Sequence, residues 1–331
     1  MQDIFVPTSR PEDGLVGPLH TVTYVTAAPD EVGRAFVEGF ELGESDALTN
    51  EHPDDQGART RLSLAEIPNW RVRAYTASGE AANIQVRVVG VGEDQPVVRS
   101  EYMGLHLGGA TVGFPITDLP THAERMENLG FQSTVGVKEL EFTSPEGQTY
   151  ISAEVLYLAP ENVFLLGVMR PDIFVPVGPM AAGRGIGGPA YSARCVSDAD
   201  AAGAFLDEVL GFEKRRDMEL PIGENSALLL PAGMDERFIQ AFAPGSSSGY
   251  LVMMDHRDAN LPEAAASRSP HRGIVMWSFE TTDLDAVYQK AQAFGARILQ
   301  EPSEGPSPFI PARRVMQVED PCGFPYEIFE R

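Results

Sequence analysis

Two stretches of the chain have the spacing of known chemical motifs. Residues 183–188, GRGIGG, fit the G-x-G-x-x-G pattern in which glycines bring backbone amides against a pyrophosphate. That chemistry needs a helix N-terminus directly after the glycines. Here the chain runs into a strand pattern, so the stretch reads as a flexible interdomain linker. Residues 245–249, GSSSG, put Ser247 in the frame of a nucleophile elbow, which requires strand, turn and helix. The apolar run YLVMM that follows is a strand, and the stretch reads as a loop. Cys195 and Cys322 show no zinc-type spacing and read as small buried hydrophobes in a reducing compartment. The basic clusters EKRRD and ARR read as solvated edges, with Arg313 or Arg314 placed to rim a cavity and hold an anionic substrate.

The elements that would position a site alternate regularly. The pattern predicts a helix in TTDLDAVYQKAQAFGARI, where Leu284, Val287, Ala291 and Phe294 share a face. Thr282 with Asp285 forms a capping box there, and Gly295 supplies the left-handed stop. ITDLPTHAERMENLGF does the same with Leu119, Ala123, Met126 and Leu129 before Gly130. VSDADAAGAFLDEVLGF uses Ala201, Phe205, Val209 and Leu210 before Gly211. A weaker fourth helix, TAAPDEVGRAFVEGF, has Val32, Phe36 and Phe40 on one face. Between them WRVRAYTA, NIQVRVVGV, ISAEVLYLA, NVFLLGVM, FIQAFA, YLVMM and RRVMQVED read as strands bounded by Gly, Pro, Asn or Ser. Each quarter therefore reads strand, helix, then two or three strands, which makes the fold α+β rather than a doubly wound parallel sheet.

The quarters are paired. DIFVP occurs at residues 3–7 and again at 172–176, and each copy precedes a Gly-Pro turn and a short alternating strand, GPLHTVTYV and GPAYSARCV. A long-period self-match of this kind indicates a tandem duplication. The expected organisation is an N-terminal domain over 1–170, with modules at about 18–92 and 105–170, and a linker at 171–185 carrying the second DIFVP leader. A C-terminal domain over 186–331 follows, with modules at about 186–256 and 272–331. A net charge of −23 repels phosphate backbones and anionic bilayers, so neither nucleic acid nor membrane is an expected partner. The N-terminus lacks a signal-peptide pattern, which makes the cytoplasm the expected location. A small molecule is the expected partner, and a homodimer is left open.

GIVMWSFETTDLDAVYQKAQAFGARI and, further on, VMQVEDPCGFPYEIFE together resemble the C-terminal module of the vicinal oxygen chelate superfamily. That group includes glyoxalase I, bleomycin-resistance proteins and extradiol dioxygenases. GPAYSARCVSDADAAGAFLDEVLGFEKRRD resembles the module that precedes it, and the two N-terminal modules are degenerate versions. The resemblance implies four βαβββ modules paired into two cupped mixed sheets with helices outside. It also implies a divalent metal (Fe, Mn or Zn) held by first-strand residues and a late Glu. Carried over, Glu327 matches the family's ligand. Tyr191 and Met276 stand where imidazoles would, so no cofactor is expected in the C-terminal cup. His20 occupies a ligand place in the other cup, with Thr111 and Leu165 at its partners; were a metal bound, Glu327 and His20 would be the candidates.

On that alignment Tyr191 and Cys195 share one strand face, as do Met276 and Ser278. Glu327 becomes a desolvated general base and Tyr191 a donor to an oxyanion, with Met276, Ser278, Cys195 and Arg313 lining the substrate. The reaction this serves is an isomerase- or lyase-type proton transfer on a carbonyl or aromatic compound. Two other readings stand beside it. One is a metal-dependent dioxygenase or glyoxalase-type enzyme drawing on His20, His106, His256 or His271. The other is a non-enzymatic binder of an aromatic or drug-like ligand.

Overall fold

The computed structural model describes the chain except residues 1–6, 8, 53–54, 80–83, 103–105, 144–146, 173–175 and 257–265. Both DIFVP copies fall largely outside the described residues. Four βαβββ modules follow one another. The first holds β1 (Val16–Thr26), α1 (Pro29–Arg34, continued by a π-turn), the short strands β2 (Gly43–Glu44) and β3 (Leu48–Thr49), α2 (Asp55–Arg61), β4 (Arg71–Thr76) and β5 (Gln85–Gly90). The second holds β6 (Gly108–Pro115), α3 (Leu119–Asn128), β7 (Lys138–Thr143), β8 (Thr149–Ala159) and β9 (Val163–Met169). The third holds β10 (Tyr191–Val196), α4 (Ala199–Glu208), β11 (Glu213–Pro221), β12 (Asp235–Phe242) and β13 (Tyr250–Asp255). The fourth holds β14 (Gly273–Thr281), α5 (Leu284–Phe294), β15 (Arg297–Glu304), β16 (Arg314–Glu319) and β17 (Pro325–Glu330).

Within each module the first strand runs parallel to the last, because the helix crosses over between them, and the remaining strands follow as an antiparallel meander. Helices α3, α4 and α5 each start at an aspartate whose carboxylate accepts from the amide three residues on: Asp118 from Thr121, Asp198 from Ala201 and Asp283 from Ala286. The cap of α5 is thus Asp283, one residue later than the Thr282 box expected; Thr281 Oγ1 instead accepts from the Asp283 amide. Gly130, Gly211 and Gly295 all take positive φ at helix ends, as expected.

The modules pair across the two halves of the chain. Strand β1 pairs antiparallel with β14, and β6 with β10. This gives one seven-stranded core from modules one and four, flanked by the short β2 and β3, and an eight-stranded one from modules two and three. Among the described strands one bridge, Ile274 to Gly109, links the two sets, and Trp277 Nε1 donates across to Ser192 Oγ. The cups expected within each half, one from modules one and two and one from modules three and four, are replaced by these crossed cups. Glycine permits the close contact: a Cβ at Gly109 would lie 2.5 Å from the Ile274 Cβ. Residues 185–190 are not a free linker, since Gly187 donates to Pro115 O, Ala190 to Gly113 O, and Gly185 accepts from Thr117. They extend β10 along β6. The faces turned away from the cups pack on the helices, where Val155, Tyr157, Phe205, Trp277 and Tyr326 join one core.

Candidate functional site

The cup of modules one and four is filled from within. Its four central strands each contribute a side chain to one buried cluster. Arg87 of β5 donates through Nη2 to Glu327 Oε1 of β17 at 3.0 Å, and both side chains are fully buried. The same guanidinium donates to Thr23 Oγ1 of β1 at 2.9 Å and to Ser307 Oγ at 2.8 Å. Ser278 Oγ of β14 donates to Glu327 Oε1 at 2.9 Å, and Ser307 Oγ to Oε2 at 2.8 Å. Glu327 is therefore an ion-paired structural carboxylate with every oxygen engaged. Beside it Met276 packs with Leu62, Leu64 and Trp70 in an apolar cluster that α2 closes over. Arg61 of α2 staples that helix to Ser303 and Glu304. His20 lies at the edge of this cup, edge-on to Phe329, its Nδ1 2.7 Å from Thr21 Oγ1. Burial, with Arg331 and Arg87, holds its imidazole down to about 4.

The cup of modules two and three holds a cavity of about 340 Å³, within the usual range of a small-molecule site. The period-two alternation of its strands sets the lining. Strand β8 presents Tyr150, Ser152 and Glu154, β12 presents Glu236, Phe238 and Gln240, and β13 presents Tyr250, Val252 and Met254. Tyr191 stands on β10 opposite Gly113, where a Cβ would lie 2.2 Å from its ring. The Tyr191, Tyr250 and Phe242 rings stack at centroid separations of 4.7 and 4.6 Å. Burial pushes the Tyr191 and Tyr250 phenols well above their ordinary range. Arg170 and Arg216 also line the cavity, and both are buried.

Two carboxyls share this space. Burial pushes Glu154 up to about 7, against the opposing pull of Arg170 and Arg216. Burial, with the charge of Glu154 nearby, pushes Glu236 up to about 8. Among the described residues Glu236 Oε2 has no hydrogen-bond partner, and neither do Gln240 Oε1 and Thr111 Oγ1, all on cavity-lining residues. Buried polar atoms left in this way mark where a bound molecule can supply partners. The strand sequences carried the signal: one face of β8 is apolar, while the other interrupts its aromatic and aliphatic residues with Ser152 and Glu154.

The residues singled out from sequence are thus divided. Tyr191 lines the cavity, whereas Glu327, Met276 and Ser278 belong to the other cup, so the expected Glu327–Tyr191 pairing does not form. Cys195 is buried on the cavity strand β10, its thiol 3.6 Å from Arg99 Nη1 and pushed up by burial. Arg313 is exposed and paired with Glu330 at 2.7 Å, which removes it from any cavity mouth. The histidines are scattered. His106 bonds Ser100, His271 bonds Ala266 O, and His256 lies 3.8 Å from Glu236. Among the described residues no three His, Cys, Asp or Glu side chains gather as metal ligands. The donor sets do not fit the divalent ion that the resemblance implies. One cup offers a guanidinium and hydroxyls around Glu327; the other offers phenols, hydroxyls and two carboxyls, Glu154 and Glu236, beside the guanidiniums of Arg170 and Arg216, without an imidazole or third acid gathered with them among the described residues.

Residues 188–328 match the family model of the Glyoxalase/Bleomycin resistance protein/Dioxygenase superfamily. That segment is similar to this superfamily, the vicinal oxygen chelate group, and the whole chain shares its fold with the solved structures below. Among solved structures the chain is similar to glyoxalase I from Zea mays. The two are 15% identical, with 97% of this chain and 94% of that chain covered at a TM-score of 0.63. A mutant of the same enzyme is 14% identical, with coverages of 97% and 95% and a TM-score of 0.63. A candidate dioxygenase from Bacillus subtilis is 10% identical, with coverages of 96% and 86% and a TM-score of 0.57. No curated protein matches the sequence.

Proposed function

We propose that the cup of modules two and three is the working site and that it catalyses proton transfer on an enolisable carbonyl compound without a metal. One observation supports this above the rest: two carboxyls, Glu154 and Glu236, line a single aromatic cavity with unequal surroundings. Paired acids whose environments separate their proton affinities divide into a base and an acid. Glu154, held near 7, is the base. It takes the proton from the carbon beside the carbonyl, and the released electron pair moves onto the carbonyl oxygen. Glu236, still protonated at neutral pH, donates to that oxygen. Return of the proton from Glu154 to a different carbon gives an isomer; loss of a group from the neighbouring carbon gives a lyase product.

The experiment is deuterium wash-in from D2O into a panel of enolisable aryl carbonyl compounds, followed by NMR. Exchange above the buffer rate that Glu154→Gln slows by about 10²–10⁴ is the expected result. Ligand binding with no exchange in any member would replace the enzyme reading with that of a small-molecule binder.

A further inference from the structure

We propose that the ligand of this cavity carries a neutral hydrogen-bond donor, a hydroxyl or an N–H, on its ring at the end remote from the carbonyl, and that Gln240 receives it. This deepens the reading above by naming a second functional group of the substrate, and it rests on that cup being the working one.

Gln240 is buried, at 5% residue exposure, on the cavity wall, and among the described residues its Oε1 accepts no hydrogen bond. The register of the sheet accounts for this. Gln240 of β12 faces Val252 of β13 on one side and Arg216 of β11 on the other. Valine has no donor, and Arg216 donates to the Tyr150 hydroxyl instead. Two residues along β12 in either direction stand Phe238 and Phe242. Val252 in turn faces Ala193 of β10, and Ala193 faces Thr111 of β6, whose Oγ1 is also buried without a partner among the described residues. These four residues form one row across the cavity face, with a polar atom at each end and two small apolar side chains between.

A buried carbonyl oxygen without a donor has lost its hydration for nothing, and a ligand that brings a donor to it recovers that loss. The row also suits a ring. Tyr191 and Tyr250 precede Ala193 and Val252 by two residues on the same strand faces, and Met254 follows Val252 by two. A ring over Ala193 and Val252 is thus bordered by the stacked phenols and a thioether. Gln240 and Glu236 stand four residues apart on one face of β12, about 13 Å at about 3.3 Å per residue. That span takes a two-ring compound with its carbonyl at Glu236 and its donor at Gln240, and about 340 Å³ admits it. The donor is neutral, because the guanidinium of Arg216, on the strand beside Gln240, disfavours an ammonium.

The test is calorimetric titration of the full chain at pH 6, where every probe is neutral, with three aryl ketones. They are 6-hydroxy-2-acetonaphthone, unsubstituted 2-acetonaphthone, and 6-methoxy-2-acetonaphthone, whose oxygen can accept but not donate. The hydroxy compound should bind about tenfold or more tightly than either of the others, because they leave Gln240 Oε1 unpaired. Gln240→Met keeps the length and removes the acceptor, and should bring the hydroxy-to-parent ratio to about threefold or less. If the methionine variant does not fold, Gln240→Asn withdraws the carbonyl by one methylene and should lower the ratio likewise. Equal affinities of the hydroxy compound and either analogue, no binding of any of the three, or a ratio unchanged in the folded variant would overturn the inference. Glu154→Gln separates this from the catalytic reading. It should keep the preference for the hydroxy compound whatever becomes of proton exchange, so a failed exchange assay leaves the Gln240 assignment standing, and equal affinities leave the base assignment standing.

Discussion

Arg87 and Glu327 form an ion pair at 3.0 Å with neither side chain exposed to solvent. The carboxylate that most resembles a superfamily ligand is therefore neutralised by a cation built into the chain. A guanidinium held by Thr23, Ser307 and Glu327 fills the centre of its cup, and α2 covers it.

Removing one partner of that pair should destabilise the protein without touching the cavity. Glu327→Gln leaves a buried guanidinium uncompensated and should lower the unfolding free energy by about 3–5 kcal/mol. Combining it with Arg87→Met should recover part of the loss, since a buried pair replaced by apolar groups is often near neutral. Denaturant melts of the two single variants and the double variant measure the coupling. Ligand affinity in the folded fraction should stay at the wild-type value.

The proton-transfer rate should follow a bell against pH. Glu154 must be ionised and Glu236 protonated, so the rising limb lies near 7 and the falling limb near 8. Glu236→Gln should abolish the falling limb. A wild-type profile flat between about pH 6 and 9 would rule out this pair as base and acid.

Stability should fall as pH rises, the reverse of a protein held by ionised carboxylates. Glu236 ionises near its ordinary 4.5 when unfolded and near 8 when folded. Its contribution is complete below the unfolded value and is lost as pH climbs through the folded one. Thermal melts at pH 5, 7 and 9 should show a decline that Glu236→Gln makes shallower, with Glu154 accounting for part of the remaining slope.

Gly113→Ala tests the wall. A Cβ there would meet the Tyr191 ring at 2.2 Å, so the ring must move. Overpacking of this kind costs about 1–3 kcal/mol. Calorimetry should show weakened binding of an aryl carbonyl compound that the exchange panel identifies, whereas Gly203→Ala, on α4 with open space around it and ordinary φ, should leave binding intact.

Local chemistry made much of this protein readable from its sequence. The helices over Leu119–Asn128, Ala199–Glu208 and Leu284–Phe294 follow from apolar spacing and a positive-φ glycine at the end. Strands such as Tyr250–Asp255 follow from short apolar runs between turn residues. These signals, and the resemblance they carry, are confined to a few consecutive residues. Which module meets which is another matter, because β1 could pair by its pattern with any free first strand. Only the packed chain places β1 on β14 and β6 on β10, through close approaches at Gly109 and Gly113 that no periodicity announces. That choice parted Tyr191 from Glu327, buried one carboxylate against an arginine 240 residues away, and brought Glu154 from one half of the chain to Glu236 from the other. Burial and charge pairing depend on distance in space, and so they were decided by the tertiary structure alone.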